Sequence, residues 1–535
     1  MPHEPFNSLI DELAFRGLLH QTTGEDALRT HLAEPAARPV RAYCGFDPTA
    51  DSLTIGNLVP IMLLVHLARW GHEPVVLMGG GTGLIGDPSG KSAERSLRTT
   101  AEVEGNVRAQ RPIFERVFAH AEQMSGGAGG LPGGKAMRTP PIVNNADWLA
   151  RLGYIEVLRD VGKHFSINEM IKRDSVRDRL ENREQGISYT EFSYMILQAY
   201  DFLHLFENFA RHGIAGPVTL QVGGSDQWGN MVAGIELIRR VSAQIWHDAV
   251  FYFGAFGADW YSEDREAGKT NARASYDRLT SIAQLASGGL LSPKGFNEFL
   301  GVSSFQEELF DQYMRESPDI KLWNSYAHVL TAPLVTKADG GKFGKTETGA
   351  IWLTPERTSP YDFYQFWLNA QDADAQKWIA LFTILPREEV ESLRAQHEKD
   401  PGARTLQRTL ARHMTTLIHG PEACAQAEDA AKALFSGDLR SLSREALEQS
   451  LSEAPHTEHD RADLSAGIAL VDLLPQTSLA TSKREAREFL QAGAVRVNGE
   501  VRQGIDARVT PDDLLHGSII VLKRGKKLQH VTRWA

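Results

Sequence analysis

Tyr43, Asp47, Thr49, Thr54, Gly56 and Asn57 lie together in YCGFDPTADSLTIGN, a segment whose residue types suit the binding of an activated nucleotide. The apolar run Ala42–Phe46 reads as a buried strand that breaks at Asp47-Pro48-Thr49, and a helical apolar pattern resumes at Leu58. The turn between them carries small or hydroxyl residues. Gly56 at the helix start lets a base or ribose approach the backbone, and the free N–H groups of a helix start favour phosphate. Further along, GGGTGLIGDPSGKSAER (Gly79–Arg95) imitates a P-loop but fails it on spacing. Gly86 and Gly90 have only three residues between them, where that motif needs four. What remains is a carboxylate, Asp87, suited to a substrate ammonium, and two cations, Lys91 and Arg95, suited to a polyphosphate whose charge develops during reaction.

Three more segments add polar groups in an apolar setting. In SYMILQAYDFL (Ser193–Leu203), Tyr194, Gln198 and Asp201 share one face of an otherwise apolar helix, which suits the lining of a polar ligand site. QVGGSDQWGN (Gln221–Asn230) repeats the strand-Gly-Gly-helix order and adds Asp226 for ribose hydroxyls and Gln227 as an amide partner. KADGGKFGKT (Lys337–Thr346) is a Gly-rich basic loop in which Lys342 and Lys345 could reach a departing pyrophosphate.

Elements that would position these groups follow from periodicity. Strand-like runs Val75–Met78, Ile142–Asn144 and Val218–Val222 alternate with helical patterns at Leu58–Trp70, Val103–His120 and Met231–Arg240. That alternation predicts βαβ units and a parallel sheet covered by helices. Gly126–Gly134 reads as a surface loop, and residues 241–326 interrupt the rhythm as an insertion. After Pro360 the pattern is helical, with Tyr361, Phe363, Tyr364, Phe366 and Trp367 as an expected core stripe. Residues 436–465 are charged and poor in apolar residues, and read as a linker or loosely packed hinge. Near the end, Thr481–Gly493 reads as a capped helix and Val495–Val501 as a hairpin turning at Asn498-Gly499. Lys483, Arg484, Arg487, Lys523, Arg524, Lys526 and Lys527 give this small αβ module a basic surface suited to RNA phosphates.

Length and composition narrow the class. A chain of 535 residues is long for one domain, and no apolar run approaches the ~20 residues of a membrane span. Cys44 and Cys424 are the only cysteines, which argues against a disulfide framework or a zinc knuckle. The start, MPHEPFNSLIDELAFRG, resembles neither a secretory signal nor a transit peptide, so a cytoplasmic enzyme is expected, with no membrane or DNA partner. A net charge of −11 argues against indiscriminate nucleic-acid binding, so RNA must be held by a local basic patch.

In family order, the quoted segments resemble those of the bacterial tyrosyl-tRNA synthetases, class I aminoacyl-tRNA synthetases. SPYDFYQFW and the C-terminal module add to the match, which covers most of the chain. TIGN stands where the class I HIGH signature belongs, and KFGKT where KMSKS belongs. The resemblance implies a Rossmann-like α/β catalytic domain (1–358, with 241–326 inserted), an α-helical anticodon-side domain (359–435), the linker, and an α+β RNA-binding domain (466–535). It implies tyrosine activation with ATP and Mg²⁺, transfer to tRNA(Tyr), a homodimer, and no protein-bound metal. Tyr43 and Asp201 would bind the phenolic hydroxyl; Asp87, Tyr194 and Gln198 the ammonium; Gln227 the carboxylate side. Asp226 would take the ribose, with Gly45, Asp47, Gly56 and Gly224 nearby. Thr49, Lys91, Arg95, Lys342, Lys345 and Thr346 would hold the β- and γ-phosphates, and Lys345 would serve ATP as well as catalysis.

Both signature histidines are replaced, by Thr54 and Asn57, which keep donor capacity in place of the imidazoles. Two other readings compete: a tryptophanyl enzyme, and a non-catalytic RNA-binding paralogue. Tyr43 with Asp201 favours a phenol over an indole. A retired site would be expected to lose several of Lys91, Arg95, Lys342, Lys345 and Asp226, and all are present.

Overall fold

The computed structural model describes residues 6–87, 97–126, 136–173, 176–177, 180, 187–254, 327–341, 343–346, 349–451, 454–525 and 528–535. Lys91, Arg95, Lys342, Lys526 and Lys527 lie outside the described residues, as do most of the Gly126–Gly134 loop and residues 255–326 of the expected insertion. The side chains of Lys345 and Thr346 also lie outside them. The chain forms two compact units, Met1–Leu353 with Gln376–Ala395, and Thr354–Ala375 with Gln396–Ala535.

Alternating strands and helices build the first unit around a six-stranded sheet. Its strands are β1 (Gln21–Thr22), β2 (Arg41–Phe46), β3 (Glu73–Met78), β4 (Ile142–Asn144), β5 (Val218–Gly224) and β6 (His328–Ala332), in the order β1-β6-β5-β2-β3-β4. All neighbours run parallel except β1 with β6. Val75–Met78 and Val218–Gly223 are buried nearly throughout, as a sheet covered on both faces requires. Helix α1 (Leu9–Arg16) and helix α2 (Leu58–Arg69) lie against each other, and α2 is buried almost all round. α3 (Thr100–Met124) starts on a Thr99–Glu102 capping box, and α4 (Tyr189–Glu207) starts on Ser188. The helix expected to stop at Arg240 runs on: α5 spans Trp228–Gly254. The reason is visible in the sequence, where Ile238, Val241 and Ile245 continue the helical apolar period past Arg240.

The helical region expected as one block over 359–435 is divided between the units. Residues 376–395 join the first because the buried Arg16 guanidinium donates to the carbonyls of Ala380 (3.1 Å), Thr383 (2.7 Å) and Leu385 (2.8 Å). In the second unit, α6 (Pro360–Leu368) buries Phe363, Tyr364 and Trp367 in a bundle with α7 (Thr405–His419) and α8 (Pro421–Ser436).

The same unit ends in a five-stranded sheet. Its strands β7 (His456–His459), β8 (Val495–Val497), β9 (Glu500–Val501), β10 (Ile519–Arg524) and β11 (Leu528–Trp534) run in the order β9-β8-β10-β11-β7. Asn498 and Gly499 turn the hairpin with φ of 49° and 90°. Residues 436–465 are not a linker. They supply β7, parallel to β11, and Leu439, Leu442, Leu447 and Leu451 bury against Ile519, Val521 and Val531. Charge between those leucines hid a spacing that is helical in part and closes one face of the sheet.

Candidate active site

A cavity of about 440 Å³ opens at the carboxyl ends of β2 and β5. From β2 the chain crosses to β3 and β4 on one side, and β5 and β6 add on the other, so the cavity sits where the sheet reverses its order of growth. Tyr43, Gly45, Asp47, Thr49, Gly56, Asn57, Asp87, Tyr194, Gln198, Asp201, Gly224, Asp226 and Gln227 all line it. These residues come from four separate segments of the sequence. Thr54 is described but does not line the cavity.

At one end the cavity is walled by a buried hydrogen-bond chain. Asp201, 2% exposed, accepts from Asn145 Nδ2 (2.8 Å) on one oxygen and from Trp148 Nε1 (2.8 Å) on the other. Asn145 Nδ2 also donates to Thr82 Oγ1 (3.1 Å), Thr82 donates to Asp47 Oδ1 (2.8 Å), and the Tyr194 hydroxyl donates to Asp47 Oδ2 (3.0 Å). Trp148 is itself stacked on His204, ring centroids 4.5 Å apart. Burial raises the Asp201 carboxyl to about 7, although the Asn145 and Trp148 donors pull the other way. The Tyr43 phenol is pushed up by burial and by the Asp201 charge.

Three buried polar atoms of the lining have no protein partner among the described residues: Tyr43 Oη, Gln198 Oε1 and Gln221 Oε1. Buried groups of this kind are satisfied by ligand or water. In the same lining, Gln227 Nε2 donates to Asp87 Oδ2 (2.7 Å) and Asp226 Oδ2 (3.1 Å), so one amide holds two carboxylates. Burial raises the Asp226 carboxyl. A Cβ on Gly45 or Gly56 would meet only ordinary contacts within the protein, at 3.9 Å and 3.6 Å. The bulk these glycines spare is therefore in the cavity itself.

The two signature segments are joined through their backbones. Ile55 N–H donates to Ile351 O (2.9 Å), Leu353 N–H to Leu53 O (2.9 Å), and Ile351 N–H to Gly344 O (3.1 Å). Phe343, also in the lining, stacks on Phe382 at 5.1 Å and meets Trp378 edge-on at 5.0 Å.

Sequence reasoning overlooked Cys44, Thr82, Asn145, Trp148, Gln221 and Phe343. Cys44 adjoins Tyr43 on β2, and Gln221 precedes the Gly-Gly of β5, so strand position could have found both. Thr82, Asn145 and Trp148 gave no local signal.

Of the basic residues expected to meet RNA, several are already paired. Lys483 meets Asp472 (2.6 Å), Arg484 meets Glu488 (3.2 Å), and Arg524 meets Glu485 (3.3 Å) while lying over the Phe489 ring. Arg487 and Lys523 make no ion pair among the described residues. Lys523 faces Arg496 across the β8–β10 ladder.

Residues 35–254 and 311–436 match the family model for class I tRNA synthetases (W and Y), and residues 446–531 match the SYY-like C-terminal domain of tyrosine–tRNA ligases. A tyrosine–tRNA ligase of Geobacillus kaustophilus is 40% identical over 528 residues, covering 98% of this chain and 100% of the relative. The chain belongs to the class I tyrosyl-tRNA synthetases. Another tyrosine–tRNA ligase, from Roseiflexus castenholzii, is 39% identical over 98% of this chain and 99% of its own length. Among solved structures, the C-terminally truncated mitochondrial tyrosyl-tRNA synthetase of Coccidioides posadasii is similar at 27% identity and a TM-score of 0.56, over 79% of this chain and 92% of that one. That of Aspergillus nidulans gives 25% identity and 0.57, over 80% and 95%. The class I family match therefore takes in residues of both units. No helix among the described residues is long and apolar enough to cross a membrane.

Proposed function

We propose that the cavity binds tyrosine at its Asp201 end and ATP at its Asp226 end, and that the residues named above divide the work accordingly. The chain is a tyrosine–tRNA ligase. It activates L-tyrosine with ATP to tyrosyl-adenylate and pyrophosphate, then transfers the tyrosyl group to the terminal ribose of tRNA. The observation that carries the assignment of ends is the buried carboxylate of Asp201, held by two donors beside a phenol without a partner. A phenolic hydroxyl entering there donates to Asp201 and accepts from Tyr43. Asp87, Tyr194 and Gln198 then face the ammonium, and Gln227 the carboxylate side, with Asp226 and the glycine edges at the ribose.

The carboxylate of tyrosine is the nucleophile, so the protein contributes position and charge. Pyrophosphate leaves toward Thr49, Asn57, Lys91, Arg95, Lys342, Lys345 and Thr346, with the nucleotide arriving as its Mg²⁺ complex. Asp47 accepts from Thr82 on one oxygen and from Tyr194 on the other, and keeps lone pairs for the nucleotide side as well. It braces the tyrosine end. Tyrosine-dependent ATP–pyrophosphate exchange, with phenylalanine and tryptophan as controls, is the direct test. Exchange with tryptophan, or with none of the three, would sink this assignment.

The raised Asp201 carboxyl sets a pH limb. Protonation as pH falls through about 7 removes the carboxylate, so kcat/KM for tyrosine should decline on the acid side of that value. In Asp201→Asn the limb should vanish from the pH profile. The effect on folding has the opposite sign. The folded chain keeps its proton up to about 7 while the unfolded chain releases it near 3.8, so this group's contribution to stability is fully present below 3.8 and is lost as pH rises from there through about 7.

We further assign a cytoplasmic location, tRNA contact through Arg487 and Lys523 with Lys526 and Lys527, and a homodimer. Tyr154, Ile155, Leu158, Ile167, Ile171 and Tyr189 are exposed apolar residues gathered within 154–189, and Ile155 is 72% exposed. Such a patch suits a second copy of the chain. Ile155→Asp should convert a dimer to a monomer in analytical ultracentrifugation. A wild-type chain that sediments as a monomer would refute the dimer.

A further inference from the structure

The segment Thr54–Asn57 is closed by a capping box: Thr54 N–H and Thr54 Oγ1 both approach Asn57 Oδ1, at 3.0 Å and 3.1 Å, and Asn57 N–H donates to Thr54 O at 2.9 Å. A backbone N–H can only donate. The Asn57 atom facing it must therefore be the amide oxygen, which settles an orientation that shape alone leaves open. The amide nitrogen then points away from Thr54, and no acceptor within hydrogen-bond distance claims its two hydrogens among the described residues. Asn57 lines the cavity and Thr54 does not. A threonine hydroxyl has one proton, and here it is directed at Asn57, so Thr54 has no donor left for a phosphate.

We infer that Thr54 is a positioning residue acting through Asn57, whose oriented Nδ2 is the donor that this segment offers to an oxygen of the nucleotide. One amide thus stands in for two imidazoles, with Thr54 as its brace rather than a second donor. The brace is itself fixed, because Leu53 and Ile55 are tied to Leu353 and Ile351 on either side of it. The inference rests on the reading of this cavity as an ATP site.

A double-mutant cycle on the full-length chain tests it. Thr54→Val should lower kcat for tyrosine-dependent exchange about 3- to 10-fold, the size of one neutral hydrogen bond, with KM for tyrosine within about twofold of wild type. Thr54→Ser keeps the hydroxyl and should restore the rate, a rescue that a packing role would not give. Asn57→Ala should cost more, and adding Thr54→Val to it should cost nothing further, because the brace has nothing left to hold. Losses that multiply would mean Thr54 meets the nucleotide itself, and a silent Thr54→Val would mean the hydroxyl orients nothing; either overturns the inference. The same four proteins titrated with ATP by calorimetry read the Thr54–Asn57 link without turnover. Absent exchange with a non-additive binding cycle would refute the activity reading and leave this one standing.

Discussion

Asp201→Ala is expected to lower kcat/KM for tyrosine about 10- to 150-fold, the factor for one hydrogen bond to a charged acceptor. The phenolic hydroxyl loses its acceptor, and two buried donors, Asn145 Nδ2 and Trp148 Nε1, lose theirs at the same time. Phenylalanine brings no hydroxyl, so it has no such bond to lose. Its kcat/KM should stay level or rise, since the variant no longer buries a carboxylate beneath a ring that offers it no hydroxyl. Discrimination between the two amino acids should therefore shrink by the whole factor, with the KM for ATP near its wild-type value. Steady-state exchange with both amino acids measures this. Equal losses for tyrosine and phenylalanine would mean that Asp201 only maintains the shape of the cavity.

How far this site could be read in advance depended on the range of the interactions involved. Tyr194, Gln198 and Asp201 were legible because helix periodicity puts them on one face and the remaining face is apolar. Strands β2 to β5 were legible because buried parallel strands are continuous apolar runs bounded by glycine or proline. Asn145 and Trp148 were not. They follow a three-residue strand, and their partner Asp201 lies 56 and 53 residues away in the chain. Thr82 escaped for the same reason, since it matters only through Asp47 and Asn145. The misread hinge at 436–465 is a related failure. Its leucines find their partners on β10 and β11, where local composition gives no hint of a covering role. Thr54 was the subtler case: its residue type was weighed correctly as a donor, but the recipient of its proton is set by geometry three residues away.

Gly344→Ala should reduce kcat for tyrosine activation about 100-fold while leaving the KM for tyrosine unchanged. Gly344 has φ of 77°, in the left-handed region where a Cβ adds about 1–2 kcal/mol of strain. The added carbon would also clash with Ile55 Cγ2, so something must move. Motion there cannot stay local. Gly344 O accepts from Ile351 N–H, and Ile351 O accepts from Ile55 N–H, so the displacement passes into the segment that holds Asn57. On the other side Lys345 is the next residue in the chain. A shift of about 1 Å in groups aligned on a leaving phosphate is enough for a loss of about 100-fold. Tyrosine binding should be spared because Asp201, Tyr43 and their donors belong to β2, α4 and the turn after β4, none of which contacts this ladder in the hydrogen bonds that fix it. A KM for tyrosine that rises in step with the fall in kcat would show a general collapse of the cavity instead. Calorimetric unfolding of the same variant separates the two, since a displaced loop leaves the melting transition of the sheet in place.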